Sequence, residues 1–363
     1  METTDVAVVG GGLIGLLTAR ELAAAGASVC VLERGPLGRE SSWAGGGILS
    51  PLYPWRYPDP VTELARWSQQ VYPRLCTELA RTGVDPEWTR SGLLMLDGEA
   101  GPAGDWARRF GYALEVLDPA AVAACEPALG ETGAGLWLPE VAQARNPRLL
   151  EALRRDLAAR GVRLYAHRPV RGLRREGERV AGVETDAGPV AADAVVLAAG
   201  AWSGSLTEGL GAPLPVRPVR GQMLLFRAPP GTLRRIVLEG GRYLIPRRDG
   251  RVLAGSTMEE DGFEPTITAA ARAGLMGFAR GRVPALAGCP IERQWAGLRP
   301  GSPQGVPFIG PYPGVSGLFL NTGHFRNGVV TAPASARLVA DLLLERTPVI
   351  PPESYSLRAR SGV

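Results

Sequence analysis

Two features of the 363-residue chain have the residue types and spacing to do chemistry. The first is Gly10, Gly12 and Gly15 in "VVGGGLIG", a G-x-G-x-x-G run, followed by Glu33 at the end of the next apolar stretch, "SVCVLE". In that spacing Gly10 makes a tight turn and Gly12 lets a pyrophosphate approach the backbone at a helix N-terminus. Gly15 lets the helix pack closely on a strand, and an acid at position 33 accepts hydrogen bonds from a ribose diol. A glycine-rich turn without a ligand leaves Glu33 unexplained, so the pattern predicts dinucleotide binding; FAD and NAD both fit it. The second feature is a single residue. Arg299 sits in "QWAGLRPGSPQGVPFIG" (294–310) among apolar and turn-forming neighbours, and an arginine goes inside only when it is paired.

Other chemistries lack their residues. The chain has no lysine, so all 40 of its basic residues are arginine, and neither Schiff-base nor P-loop chemistry is available. The two histidines, His167 and His324, lie far apart, which leaves little from which to build a zinc site or a Ser-His-Asp triad. His167 reads as structural or exposed. Cys30, Cys76, Cys125 and Cys289 show no C-x-x-C spacing and read as reduced, mostly buried thiols of a cytoplasmic protein. The 40 basic residues nearly balance 36 acidic ones, and no basic run carries interleaved aromatics, so no nucleic-acid partner is expected. No apolar run is long enough to cross a bilayer, and the acidic N-terminus is unlike a signal peptide, so no membrane partner is expected either.

The elements that must position these residues are legible in part. "DVAVV" reads as a buried strand, "LIGLLTARELAAAG" as a helix stopped by Gly26, and "SVCVLE" as a second strand. A helix is expected from Pro60 to about Ala80 with Asp59 as its cap, and another from Asn146, as cap, to Gly161. "GLLMLD", "VRLYAH", "PVRGLRR", "RVAGVET", "ADAVVLAAGAWS" and "GQMLLF" read as strands, and "RYLIPRR-DG-RVLAGST" as a hairpin turning at Asp249-Gly250. "GLFLNTGHFRNGVVTAPASARLVADLLLE" goes from strand through a glycine turn to helix. Dinucleotide-binding elements at both ends and in the middle imply discontinuous domains.

Three segments together, "VVGGGLIG", "GRESSWAGGGI" and "WAGLRPGSPQGVPFIG…NTGHFRNGVVTAPA", resemble the glycine oxidases of the D-amino-acid oxidase family. The resemblance runs over essentially the whole chain. It implies an α/β, two-domain (α+β) fold: a Rossmann-like FAD-binding domain of residues 1–50, 142–206 and 305–363, and a mixed-sheet substrate-binding domain of residues 51–141 and 207–304. It implies non-covalent FAD, oxidation of glycine, sarcosine or D-alanine by O2 to an imine and then a 2-oxo acid, ammonia and H2O2, and supply of the imine to the thiamine thiazole. Beside Gly10, Gly12, Gly15 and Glu33, the cofactor would meet Leu13, Ile14, Arg34, Ser41, Ser42 and Trp43. It would further meet Gly45, Gly46, Gly47, Ile48, Val170, Ala199, Gly200 and Trp202. The last segment would add Arg299, His324, Phe325, Arg326, Asn327, Gly328 and Val329.

Arg299 then meets a substrate carboxylate through its fork of N–H groups. Tyr243 matches a tyrosine sharing that carboxylate, Arg326 a second active-site arginine, and Met258 a pocket wall. No obligatory acid or base is implied, and His324 faces the flavin without a catalytic role. The last helix, starting just after "GHFRNG", would turn its dipole on the flavin's N1–C2=O edge and steady the negative charge of the reduced ring. Two departures stand out: Ile48 occupies a position where relatives can have methionine, and the lysine with which sarcosine-oxidase-like flavoenzymes activate oxygen is absent. A quinone-linked D-amino-acid dehydrogenase, or an oxidase of another N-substituted glycine, is the alternative reading. Homo-oligomer formation is left open.

Overall fold

Val6 and Val8 point to one side of the first strand and Ala7 and Val9 to the other, and all four are buried. A strand of that kind lies inside a sheet covered on both faces. The computed structural model, which describes residues 2–361, contains that sheet and a second one. The chain begins with β1 (Glu2–Val9), α1 (Leu13–Ala24), β2 (Val29–Leu32), α2 (Ser41–Ala44), α3 (Asp59–Ala80), β3 (Thr89–Arg90) and β4 (Leu93–Met95). It continues through α4 (Ala100–Phe110), β5 (Glu115–Leu117), α5 (Pro119–Cys125), β6 (Gly135–Leu138), β7 (Ala142–Gln143), α6 (Asn146–Ala159) and β8 (Arg163–Tyr165). Then come β9 (Val170–Glu176), β10 (Arg179–Thr185), β11 (Val190–Leu197), β12 (Arg217–Phe226), β13 (Ile236–Glu239), β14 (Arg242–Pro246) and β15 (Val252–Gly255). The last are α7 (Ala269–Arg282), β16 (Ile291–Gly301), β17 (Phe308–Pro311), β18 (Leu318–Thr322), α8 (Gly328–Leu343) and α9 (Leu357–Ser361).

The first sheet has the order β17-β18-β11-β1-β2-β8, with β10 and β9 branching from β11. Its core strands are parallel: β1 pairs with β2 and β11, and β11 with β18. Helices α1, α3, α6 and α8 cover the Val6 and Val8 face. The Ala7 and Val9 face packs on β9–β10 and on loop residues such as Leu214 and Tyr312. The second sheet has the order β16-β12-β15-β14-β13-β4-β6-β5 and is mostly antiparallel. Leu224, Phe226 and Leu244 on one face pack on Leu275 and Ala279 of α7. Met223, Tyr243 and Ile245 alternate to the other face, toward Ile48 and Leu52. Each such buried large aliphatic or aromatic side chain contributes about 1.5–3 kcal/mol.

The caps and one strand differ from expectation. Asp59 lies inside α3, with Pro58 at the cap, and Asn146 lies inside α6, with Arg145 at the cap. The Asn146 amide instead donates to Ser42 O at 2.7 Å, tying α2 to α6. "QWAGLRPG" is the end of an eleven-residue strand, β16. Its glycines and Pro300 disguise it, but β16 is an edge strand, where proline is tolerated.

Candidate active site

A cavity of about 440 Å³ lies at the carboxyl ends of the first sheet's strands, closed on its far side by the second sheet. Its wall includes Val9 and Gly10 after β1, Leu32 and Glu33 at β2, Ala198 and Ala199 after β11, and Asn321 and Thr322 of β18. Open α/β sheets bind ligands at this end, where crossover connections leave a crevice.

The dinucleotide end follows from close approaches that only glycine permits. Gly10 has φ +112°, and a Cβ there would stand 2.3 Å from Ala198 O. A Cβ on Gly15 would stand 1.9 Å from Gly10 O, so Gly15 sets how near α1 comes to β1. Gly12 is the N-cap of α1, and Leu13 and Ile14 of its first turn line the cavity. Ser42 Oγ accepts from Leu13 N at 2.8 Å. Glu33 is buried; its Oε2 accepts from Gly11 N at 2.8 Å and its Oε1 from Gly35 N at 3.0 Å, so the carboxylate is aimed by the backbone. The N-terminus of α8 opens on the same cavity through Gly328 and Val329 and has no side-chain cap. Two helix N-termini with no acid in their first turns suit a pyrophosphate and an electron-rich ring. The residues present therefore fit FAD.

At the other end, β12 and β16 run side by side with Gly221 opposite Gly297 and Val219 opposite Arg299. Arg299 is half-buried on the cavity wall, and its Nη1 donates to Arg220 O at 3.3 Å and Thr257 O at 3.2 Å, its Nη2 to Ser256 Oγ at 2.7 Å. All three acceptors are neutral. Among the described residues no carboxylate lies within 4.0 Å of Arg299, so the internal ion pair that its burial could have implied is absent. Burial is the main pull lowering its pKa; Tyr243 opposes it and the nearby Arg326 adds to it. Arg326 donates to Gly241 O at 3.1 Å and likewise has no carboxylate partner among the described residues. The Tyr243 hydroxyl donates to Met223 Sδ at 3.4 Å. Both Met223 and Tyr243 oppose Gly255, where a Cβ would meet them at 2.3 and 2.8 Å.

The cavity wall gathers most of the residues singled out in the sequence. It includes Arg34, Ser41, Ser42, Gly45, Gly46, Gly47 and Ile48 from the loop after β2. Val170, Ala199, Gly200 and Trp202 lie on it, as do Tyr243, Arg299, His324, Phe325 and Arg326. Four candidates stand elsewhere. Gly15 acts from behind, through packing. Trp43 turns away, edge-on to Trp295 at 5.4 Å, with Arg39 and Arg293 on its ring. Asn327 is buried in the turn before α8, where its carbonyl accepts from Thr331 N. Met258 is 58% exposed and is not a pocket wall. Strand β15 ends at Gly255, opposite Met223, whereas Glu259 opposes Arg220. Four residues thus face three, and the regular pairing of β15 is broken before Met258. Met223, buried beside Tyr243, is on the cavity wall.

Sequence reasoning missed Met223, Ser256, Gly221 and Arg247. The last is half-buried and donates to Gly46 O and to Gln143 Oε1, each at 2.7 Å, bracing the glycine run from behind; desolvation lowers its pKa to about 10. Only cross-strand pairing brings these four to the site, and nothing local announces it.

His324 is no base. Its Nε2 lies 3.0 Å from Asn321 Oδ1 and its Nδ1 3.0 Å from Thr331 Oγ1, and burial lowers its pKa from 6.5 to about 3. The folded protein therefore resists protonation there while the unfolded chain takes the proton. Stability from this group is full above pH 6.5 and is lost as the pH falls toward 3. Between pH 6.5 and 4.5 the wild type is expected to lose roughly 2–3 kcal/mol more than His324→Asn in denaturant titrations. Parallel losses in the two proteins would contradict a neutral, buried His324. His167, by contrast, is exposed.

The family model for FAD-dependent oxidoreductases matches residues 5–342. A glycine oxidase of Pseudomonas aeruginosa is 51% identical over 359 residues, which cover 98% of this chain and 99% of that protein. A glycine oxidase of Pseudomonas putida is 50% identical over 362 residues, covering 99% of each. The crystal structure of glycine oxidase from Geobacillus kaustophilus superposes with a TM-score of 0.91 at 31% identity, covering 98% of this chain and 99% of that one.

Proposed function

The chain belongs to the family of FAD-dependent oxidoreductases, and from that premise we propose that it oxidises glycine, and with it sarcosine and D-alanine, at the expense of O2. The observation that carries this reading is Arg299: a half-buried guanidinium facing the cavity, held by neutral acceptors, with Tyr243 and Arg326 on the same wall. Such a charge is completed by an anion, and the fork of an arginine suits a carboxylate. The full-length similarity to glycine oxidases supports a small amino acid as its bearer.

FAD supplies a two-electron acceptor for the hydride that leaves the substrate Cα. Arg299 would hold the carboxylate, and Arg326 and the Tyr243 hydroxyl would fix its second oxygen. Met223 and Ile48 would wall the space beside Cα. Water hydrolyses the resulting imine to glyoxylate and ammonia, and O2 leaves as H2O2, so one glycine, one O2 and one water give one molecule of each product. On this reading residues 1–50, 142–206 and 305–363 serve the cofactor and 51–141 and 207–304 the substrate. The protein works in the cytoplasm and supplies the glycine imine for the thiamine thiazole. With glycine in air, peroxide and ammonia should appear in equal amounts and match the oxygen consumed. Glycine-dependent reduction of a quinone without peroxide would favour a dehydrogenase instead.

Glu33 would take the ribose diol. Glu33→Ala is expected to weaken FAD binding by about 1.5–3 kcal/mol, the range for a hydrogen bond to a charged group. Fluorescence titration of the apoprotein measures this, and an unchanged affinity would remove Glu33 from the cofactor site.

The amine must be neutral to release hydride, and free glycine is mostly ammonium at neutral pH. The wall beside Arg299 offers no base, since His324 is held neutral and bonded. Arg299 and Arg326 oppose a third positive charge and so lower the amine's pKa. Anaerobic flavin reduction by glycine should therefore accelerate from pH 6 to pH 9. A flat stopped-flow profile over that range would contradict amine deprotonation as the gate.

A further inference from the structure

We propose that Gly221 is a positioning residue for the substrate clamp: by carrying no side chain it forms the slot in which the Arg299 guanidinium lies. The proposal rests on the reading of Arg299 as carboxylate anchor. Arg299 springs from β16 opposite Val219, yet its guanidinium does not stand up from the sheet. It crosses toward Ser256 and Thr257, beyond the end of β15, and passes over Gly221 of β12 on the way. A Cβ on Gly221 would stand 2.1 Å from Arg299 Nη2, 2.3 Å from Nη1 and 2.4 Å from Cζ, and these three are its nearest atoms.

Glycine inside a strand costs stability and leaves nothing to pack, so its presence in β12, between β15 and β16, calls for a local cause. Here every nearest atom belongs to one side chain. The guanidinium is the mobile end of that side chain, so an added methyl lifts it away rather than breaking the sheet. Lifting separates it from Arg220 O, Thr257 O and Ser256 Oγ together, because all three bonds are made in the same slot. The strand fixes the other side of the slot. Arg220 exchanges backbone hydrogen bonds with Glu259, at 2.8 and 3.0 Å, and Gln222 N donates to Thr257 Oγ1 at 2.9 Å. The segment that carries two of the three acceptors is thereby bound to the strand that carries Gly221.

The test is the dissociation constant of acetate, the substrate's carboxylate without its amine, read from the flavin absorption of the oxidised holoenzyme. Wild type, Gly221→Ala, Arg299→Ala and the double variant are compared. Gly221→Ala is expected to weaken acetate about ten- to a hundred-fold with unchanged FAD content, and to raise KM for glycine more than it lowers kcat. In the Arg299→Ala background the glycine substitution should add nothing, since it acts only through the guanidinium. Should Gly221→Ala alone fail to hold FAD, the double variant, in which the methyl meets no guanidinium, recovers it. Wild-type acetate affinity in Gly221→Ala, the same additional loss in both backgrounds, or a double variant that also fails to fold would each overturn the proposal. If Arg299→Ala itself binds acetate like wild type, the anchor reading is what fails.

Discussion

Arg299→Ala is expected to lower kcat/KM for glycine by about thirty-fold to a few thousand-fold, the effect of removing one partner of a close, buried charge pair. FAD content and thermal midpoint should stay near those of the wild type. The structure explains why the loss is confined to the substrate. The guanidinium touches two backbone carbonyls and one hydroxyl, and among the described residues no carboxylate depends on it, so its removal strands no buried charge. Arg299→Lys should restore only part of the rate, because an ammonium returns the charge but not the fork. Arg326→Ala should be milder, as its guanidinium donates to the Gly241 carbonyl on the neighbouring turn. Steady-state kinetics with a flavin count decide the matter. Loss of FAD or of folding in Arg299→Ala, with glycine affinity intact in the fraction that survives, would make Arg299 a structural residue.

Gly15→Ala should produce protein that is largely free of FAD and destabilised by at least about 3 kcal/mol, the upper end of ordinary overpacking. The added methyl would lie 1.9 Å from the Gly10 carbonyl oxygen and 3.1 Å from its carbon, both backbone atoms of the turn that brings β1 to α1. No side chain can swing aside to admit it, so α1 must move off the sheet and carry its N-terminus away from the cavity. Gly12→Ala separates fold from ligand. There a Cβ meets only Ser42 Oγ at 3.0 Å and Ser42 Cβ at 4.0 Å, and φ is an ordinary −77°. That variant should fold with a near-normal melting curve and lose cofactor affinity alone. Melting by circular dichroism and the ratio of flavin to protein absorbance distinguish the two; a yellow Gly15→Ala with unchanged melting would contradict the packing argument.

The dinucleotide half was legible because its signals are local. Strand, glycine turn, helix and acid follow one another within residues 5–33, and each is a property of neighbouring residues. Arg299 was legible as an anomaly, a charge among apolar neighbours, although only the fold shows that no acid among the described residues pairs with it. What surrounds it was not legible. Gly221, Met223 and Ser256 reach Arg299 and Tyr243 through cross-strand register, and sequence distance hides register. Met258 stands exposed beyond the irregularity that follows Gly255, a break in pairing that sequence distance also hides. Trp43 was misplaced because it lies in α2, a single turn of four residues on which neighbouring side chains diverge: Ser42 and Ala44 face the cavity while Trp43 packs on Trp295.

The most direct test of glycine oxidation at this site is the visible spectrum of the purified holoenzyme before and after glycine is added without oxygen. Loss of the oxidised flavin bands, restored on admitting O2 and slowed at least about thirty-fold in Arg299→Ala at the same glycine concentration, is the predicted result. An unchanged spectrum at saturating glycine, in protein whose flavin dithionite still reduces, would contradict it.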